Sequence, residues 1–167
     1  MPAKPLSEIE AQIGDEVTTV RNLRVEAGKV AEFARAVGAG DLIFYDREAA
    51  KAAGYEDIPA PPTFTRIAYF PRYRPEGVDE NLGFDLGLQS ERILHGEQSN
   101  TYERTLLVGD VVTGTTTLTD VYQREGSRGG TMTFCVYETA FRDRDDELVL
   151  TEGVTRIETG GDAEDDA

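Results

Sequence analysis

Val111-Val112-Thr113-Gly114-Thr115-Thr116-Thr117-Leu118-Thr119-Asp120-Val121-Tyr122 leads, after a glycine-rich break, into Thr131-Met132-Thr133-Phe134-Cys135-Val136-Tyr137-Glu138-Thr139-Ala140-Phe141. Threonine, valine and aromatic residues dominate both runs, and such side chains fit a pleated, half-buried surface. The break, Glu125-Gly126-Ser127-Arg128-Gly129-Gly130, has the composition of a turn. The same texture extends to either side. Strands are expected over about 89–105, 110–124, 131–143 and 147–158, parted by Val108-Gly109-Asp110 and Asp143-Arg144-Asp145-Asp146. Long consecutive hairpins imply an antiparallel meander.

Upstream of the strands the period changes. Val17 to Val25 alternates loosely and reads as one more strand. Over Glu26 to Val37, apolar Val30, Phe33, Ala34 and Val37 recur at helical spacing, and Gly38-Ala39-Gly40 stops the helix. Arg47 to Ala53 is alanine-rich and helical, stopped by Gly54. Pro59, Pro61 and Pro62 make a stiff loop. Proline suits a first helical turn, so Thr63 to Tyr69 is expected to begin a long central helix with Phe64, Ile67, Ala68 and Phe70 on its apolar face. Residues 71–83 read as loop. The chain therefore divides into a polar N-terminal segment, 1–12, one α+β domain over 13–158, and an acidic tail, 159–167, too poor in apolar residues to fold. The domain is an antiparallel sheet of about five strands with its helices on one face.

Composition excludes several function classes. The 167 residues carry a formal net charge of −15 with a pI near 4.4. That opposes nucleic-acid binding, which draws its affinity from cations on phosphates, and it disfavours anionic membranes. No apolar run reaches membrane-spanning length and no basic-then-apolar leader is visible, so a cytoplasmic location is expected. Lysine occurs only at Lys4, Lys29 and Lys51. Acid excess with scarce lysine suits a salt-rich milieu, where carboxylate repulsion is screened. Cys135 is the only cysteine and reads as a small core residue. With His95 the only histidine, no metal site and no cofactor are expected.

Five pieces of text, in order, carry a family resemblance: Gly54-Tyr55; Ala60-Pro61-Pro62-Thr63-Phe64; Leu94-His95-Gly96-Glu97-Gln98; Val108-Gly109-Asp110; and Gly129-Gly130-Thr131-Met132-Thr133-Phe134. The chain resembles MaoC-like dehydratases, in particular the FAS1-like dehydratase or MaoC N-terminal-domain subgroup that includes HadA-type subunits of hydroxyacyl-carrier-protein dehydratases. The resemblance implies a hot-dog fold, a sheet wrapped around a central helix, and pairing as a homodimer or with a MaoC-type catalytic subunit. It implies an acyl-CoA or acyl-carrier-protein thioester in a tunnel beside that helix. It also implies hydration or dehydration by an Asp and a His five residues apart that hold one water. A carrier protein is itself acidic, so the −15 charge tilts the expectation toward CoA.

The motif is incomplete. The family carries Asp-x-Asn-Pro-x-His-x-Asp and later Ala-His-Gly. Here, counting from Asp41 places Asp46 where the histidine belongs, counting back from Gly54 places Phe44 there, and the second loop reads Ala60-Pro61-Pro62. Asp41 remains as a lone acid. Asp41 and Asp46 sharing a proton is one route to a base; capping of turns is the other reading of both. His95 is the second catalytic candidate. Plain strand alternation puts it on one face with Ile93, Glu97 and Ser99, where Glu97 could orient its ring; a structural or interface histidine is the other reading. Tyr45, Ala60, Pro61, Pro62, Thr63, Phe64 and Glu97 are the expected substrate contacts; Tyr55, Tyr69 and Tyr73 read as packing residues with surface hydroxyls or as further tunnel lining, and Arg72 and Arg74 as solvated charges or partners for a CoA phosphate. These features point to the pocket-forming component of an (R)-specific 3-hydroxyacyl-thioester dehydratase or enoyl hydratase. The alternatives are a self-sufficient hydratase using His95 or the acid pair, an acyl-CoA-binding protein without turnover, and a thioesterase.

Overall fold

Five strands form where the two-residue period runs: β1 Glu16–Arg24, β2 Ile93–Tyr102, β3 Val111–Glu125, β4 Thr131–Arg142 and β5 Leu148–Glu158. The computed structural model describes residues 2–69, 71–76, 78, 81–126 and 130–160. Phe70 of the expected helix face and residues 161–167 of the expected tail lie outside the described residues. All strand pairs are antiparallel, in the order β1-β3-β4-β5-β2.

The meander holds for β3, β4 and β5 but not for β2, which crosses to the far side of β5 instead of turning back on β3. The linker explains this. The Glu103 amide donates to the Val149 carbonyl at 2.9 Å, tying the end of β2 to β5. The linker then runs against the proline loop: Ala60 N donates to Leu106 O at 2.8 Å and Val108 N to Ile58 O at 2.9 Å. Arg104 holds Asp110 at 2.7 Å and Asp143 at 3.1 Å, clamping the linker to the β4–β5 turn. Both edges of β3 are taken, by β1 and β4, so β2 finds its partner in β5.

Among the described residues three short α-helices lie ahead of β2, one before β1 and two after it: α1 Leu6–Glu10, α2 Ala27–Ala36 and α3 Arg47–Ala52. α2 buries Val30 and Ala34 and sets the Phe33 ring edge-on to Phe64, centroids 5.7 Å apart. The long central helix is absent from its expected place. Phe64–Tyr69 is a 3-10 helix, followed by a second 3-10 turn, Pro71–Tyr73. Prolines explain the difference. Pro71 disfavours helical geometry at the residue before it and supplies no amide, so the segment between Pro62 and Pro71 is too short for several α turns.

The core lies on the inner face of the sheet in two clusters, the first covered by the 3-10 segment and α2, the second by α1 and residues 82–88. One gathers Val20, Leu23, Val30, Phe64, Ile67, Phe141 and Leu150; the other gathers Ile9, Leu86, Leu118, Val121, Cys135 and Tyr137. What separates them is polar. Thr116 faces Thr139, Thr139 faces Glu152, and Glu152 faces Asn100 across three successive strand pairs.

Candidate functional site

The loop that would carry a hydration dyad spends its carboxylates on backbone. Asp41 caps the 3-10 turn Leu42–Phe44, its Oδ1 accepting from Ile43 N at 3.1 Å. Asp46 caps α3, its Oδ1 accepting from Ala49 N at 2.7 Å. Both caps satisfy amides that have no partner inside the helix, a common role for aspartate at such positions. Tyr45 Oη donates to the Ala39 carbonyl at 2.7 Å, fixing the turn to the end of α2. Phe44, the alternative position of the missing histidine, packs against the first core cluster.

Around the second loop the expected contacts divide. Ala60, Pro61 and Phe64 are buried, with Phe64 fully inside the core, while Pro62 and Thr63 are exposed. Tyr102, at the end of β2, donates its hydroxyl to the Pro62 carbonyl. Burial first, and the Glu152 charge second, push the Tyr102 phenol up to about 12. Near neutral pH it is therefore a donor that keeps its proton. Of the other tyrosines, Tyr55 packs on the core and Tyr73 is buried within it; the Tyr69 side chain lies outside the described residues. Arg72 Nη1 stands 3.7 Å from Glu26 Oε2, with its guanidinium over the Tyr73 ring.

His95 lies on β2, which has only one neighbour in the sheet, and its side chain is exposed. It does not share a face with Glu97. His95 pairs with Arg156 while Glu97 pairs with Thr155, because the chain bulges at Gly96. An extra residue in one strand reverses the alternation beyond it, so the two side chains point to opposite faces of the sheet. Among the described residues no hydrogen bond or ion pair joins His95 to Glu97, or either of them to Asp41. Nor does any group of three or more His, Cys, Asp and Glu among those residues have the arrangement to hold a metal.

The polar centre that the structure does assemble was not singled out in the sequence. Glu152, 2% exposed, projects from β5 into the space under the 3-10 segment. Thr65 Oγ1 donates to its Oε2 at 2.8 Å and Gln98 Nε2 at 3.3 Å, while Arg66 Nη1 stands 4.0 Å from its Oε1. The available signal was phase: Glu152 falls on the inward positions of β5, between Leu150 and Val154, where an apolar side chain is the norm. This arrangement can bind and orient, through a neutral phenol, buried hydroxyls and a carboxylate held by donors. The Asp41–Phe64 loop contains no imidazole to exchange a proton near neutral pH.

Comparison with known proteins agrees with this fold. The profile of the FAS1-like dehydratase domain region matches residues 11–152. A UPF0336 protein of Clavibacter michiganensis subsp. michiganensis is 38% identical over 136 residues, covering 81% of this chain and 85% of the relative. A chain of the C-terminally truncated HadBC (3R-hydroxyacyl-ACP dehydratase) complex from Mycobacterium tuberculosis superposes with a TM-score of 0.71 at 24% identity, over 87% of this chain and 96% of that one. A chain of the ChsH1–ChsH2 complex from the same organism gives 0.72 at 21% identity, over 92% of each. At these identities the two structures establish the hot-dog fold.

Proposed function

The chain belongs to the family of FAS1-like dehydratase domains, and from that premise we propose that it is the pocket-forming subunit of an (R)-specific 3-hydroxyacyl-thioester dehydratase or enoyl hydratase. A MaoC-type partner bearing the Asp and His supplies the chemistry. The observation that carries the reading is at the Asp41–Phe64 loop. Its scaffold is intact, but Asp41 and Asp46 are committed as caps and prolines stand in the second loop. Reversible hydration needs a group that gives and takes a proton near pH 7, and that group has to come from outside this loop.

Two further points support a partner. The two solved structures of like fold are complexes of two named components, HadBC and ChsH1–ChsH2. β2, ten residues long, ends the sheet, with one side of its backbone not engaged by another strand. Such an edge is a template for strand addition, so the partner's sheet joins this one along β2. The substrate is an acyl thioester; repulsion between the −15 chain and an acidic carrier favours CoA.

The test is hydration of crotonyl-CoA, followed by loss of enoyl-thioester absorbance, with the chain alone and then with a MaoC-type partner carrying both catalytic residues. Turnover only in the mixture, above that of the partner alone, is the expected result. Turnover by the chain alone would overturn the assignment and direct attention to His95, with His95→Ala as the check. Thioester binding with no turnover in either case would make the chain an acyl-binding protein.

A further inference from the structure

We infer that the folded protein holds one ordered water as a structural ligand beneath the 3-10 segment, between the Thr139 hydroxyl and the Glu152 carboxylate, and that this water gives a row of threonine hydroxyls a single direction. The row crosses the sheet between the two core clusters. Thr19 Oγ1 of β1 lies 2.7 Å from Thr116 Oγ1 of β3, which lies 2.8 Å from Thr139 Oγ1 of β4. Thr139 faces Glu152 of β5. Thr19, Thr116, Thr139 and Glu152 are 4%, 0%, 8% and 2% exposed. Along the strands their neighbours on the same face are apolar, Phe141 and Leu150 on one side, Leu118 and Tyr137 on the other. Polar groups in such a place are ordinarily all matched by a partner, and each proton in the row has to be accounted for.

Three hydroxyls carry three protons but make two bonds to one another, so one proton is left at an end of the row. At the Thr19 end, Thr116 is the one hydrogen-bond partner among the described residues. At the Thr139 end stands Glu152. Its Oε2 accepts from Thr65 Oγ1 at 2.8 Å and from Gln98 Nε2 at 3.3 Å. Its Oε1 has Arg66 Nη1 beside it at 4.0 Å, beyond hydrogen-bond reach. Among the described residues no direct bond joins Thr139 to either oxygen. A cavity of about 20 Å³ touches Thr65, Thr116, Thr139 and Glu152, and every residue of its lining except Arg74 is buried. That is room for one water. The water accepts from Thr139, gives one proton to Glu152 Oε1 and gives the other to Thr65 Oγ1, whose own proton already goes to Oε2. Three partners is the usual number for a buried water. Every donation then runs one way, from Thr19 to Thr116, to Thr139, to the water and onto a carboxylate, and a chain so ordered strengthens each of its bonds. The reverse order would leave the Thr19 proton buried without an acceptor, which costs a desolvated polar group. Arg66 beside Oε1 and Arg74 in the wall oppose a metal cation in the same place.

The experiment is a high-resolution crystal structure of the full chain, grown once in sodium chloride and once in rubidium chloride, with urea denaturation of three variants. A density peak is expected about 3 Å from both Thr139 Oγ1 and Glu152 Oε1, and unchanged in rubidium. No density there, with Thr139 bonded directly to Glu152, overturns the inference. A peak that gains electrons in rubidium is a monovalent cation and overturns it equally. The direction of the row is read from stability. Thr139→Val strands the Thr116 proton and takes a partner from the water, whereas Thr19→Val idles only an acceptor lone pair of Thr116. Thr139→Val should therefore raise the unfolding constant on the order of tenfold, and Thr19→Val distinctly less. Thr139→Ser keeps the hydroxyl and should stay close to the unaltered protein. Failure of Thr139→Val to fold, while Thr139→Ser and Thr19→Val do, is the same asymmetry at its extreme. Equal losses in the two valine variants, or a serine variant as weak as Thr139→Val, would overturn the assigned direction.

Discussion

Asp46 illustrates how a residue that fits a catalytic motif can serve a turn. Its side chain accepts the Ala49 amide at 2.7 Å, and α3 is only six residues long. A helix so short draws much of its definition from its ends. Asp46→Ala should lower stability by about 1 kcal/mol, whereas Asp46→Asn should change it little, because asparagine caps as well; urea denaturation of the three proteins checks this. This role was legible, since carboxylates after a glycine run are common turn and capping groups. Glu152 was not, because a lone acid in a strand reads as solvent-facing until the register shows which way it points. Buried Cys135 and half-buried Tyr102 set a pH limit. Burial raises the Cys135 thiol from 9.0 to about 11, and burial with the Glu152 charge raises Tyr102 from 10.0 to about 12. In both cases the unfolded chain loses its proton first. Their contribution is therefore complete below about pH 9 and declines as pH rises toward 12. The urea midpoint should fall between pH 9 and 11, and the Cys135→Ala protein should show a shallower slope over that interval.

At the scale of elements, close packing between strands holds the sheet in register. Gly114 of β3 faces Phe141 of β4; a Cβ placed on it would lie 2.9 Å from Phe141 Cε1 and 3.1 Å from Thr139 Cγ2. Phe141 is 2% exposed, so its ring can yield only by disturbing the packing of the core around it. Gly114→Ala should therefore destabilise the fold by about 1–3 kcal/mol through overpacking, despite alanine's better backbone entropy. A midpoint equal to that of the unaltered protein would mean the ring shifts freely. Composition and the two-residue period made these strands readable, each within a few residues of its observed ends. Two features escaped. The bulge at Gly96 adds one residue and reverses the side-chain alternation past His95, which a strict two-residue period does not register. The choice of β5 over β3 as the neighbour of β2 depends on hydrogen bonds from the linker to the Ile58–Ala60 segment, a contact distant in sequence. The 3-10 form of Phe64–Tyr69 was readable in part, since Pro71 follows directly after Phe70.

For the whole molecule the dominant fact is charge. Thirty-two acidic residues stand against seventeen lysines and arginines. Surface ion pairs such as Lys29 with Glu32 and Lys51 with Glu48 are exposed, and pairs of that kind contribute little. Net repulsion between carboxylates therefore works against the compact state, and it works less in the unfolded chain, where the same charges are farther apart. The screening length falls from about 30 Å at 0.01 M salt to about 3 Å at 1 M. Over that range the long-range repulsion is removed, while short contacts such as Arg104 with Asp110 at 2.7 Å are weakened much less. The melting temperature should accordingly rise by several degrees between low and molar sodium chloride. It should rise comparably in tetramethylammonium chloride if screening rather than a bound cation is the cause. A flat profile would mean that the acidic groups are spread widely enough not to interact. A rise confined to sodium would point to specific ion binding in place of screening.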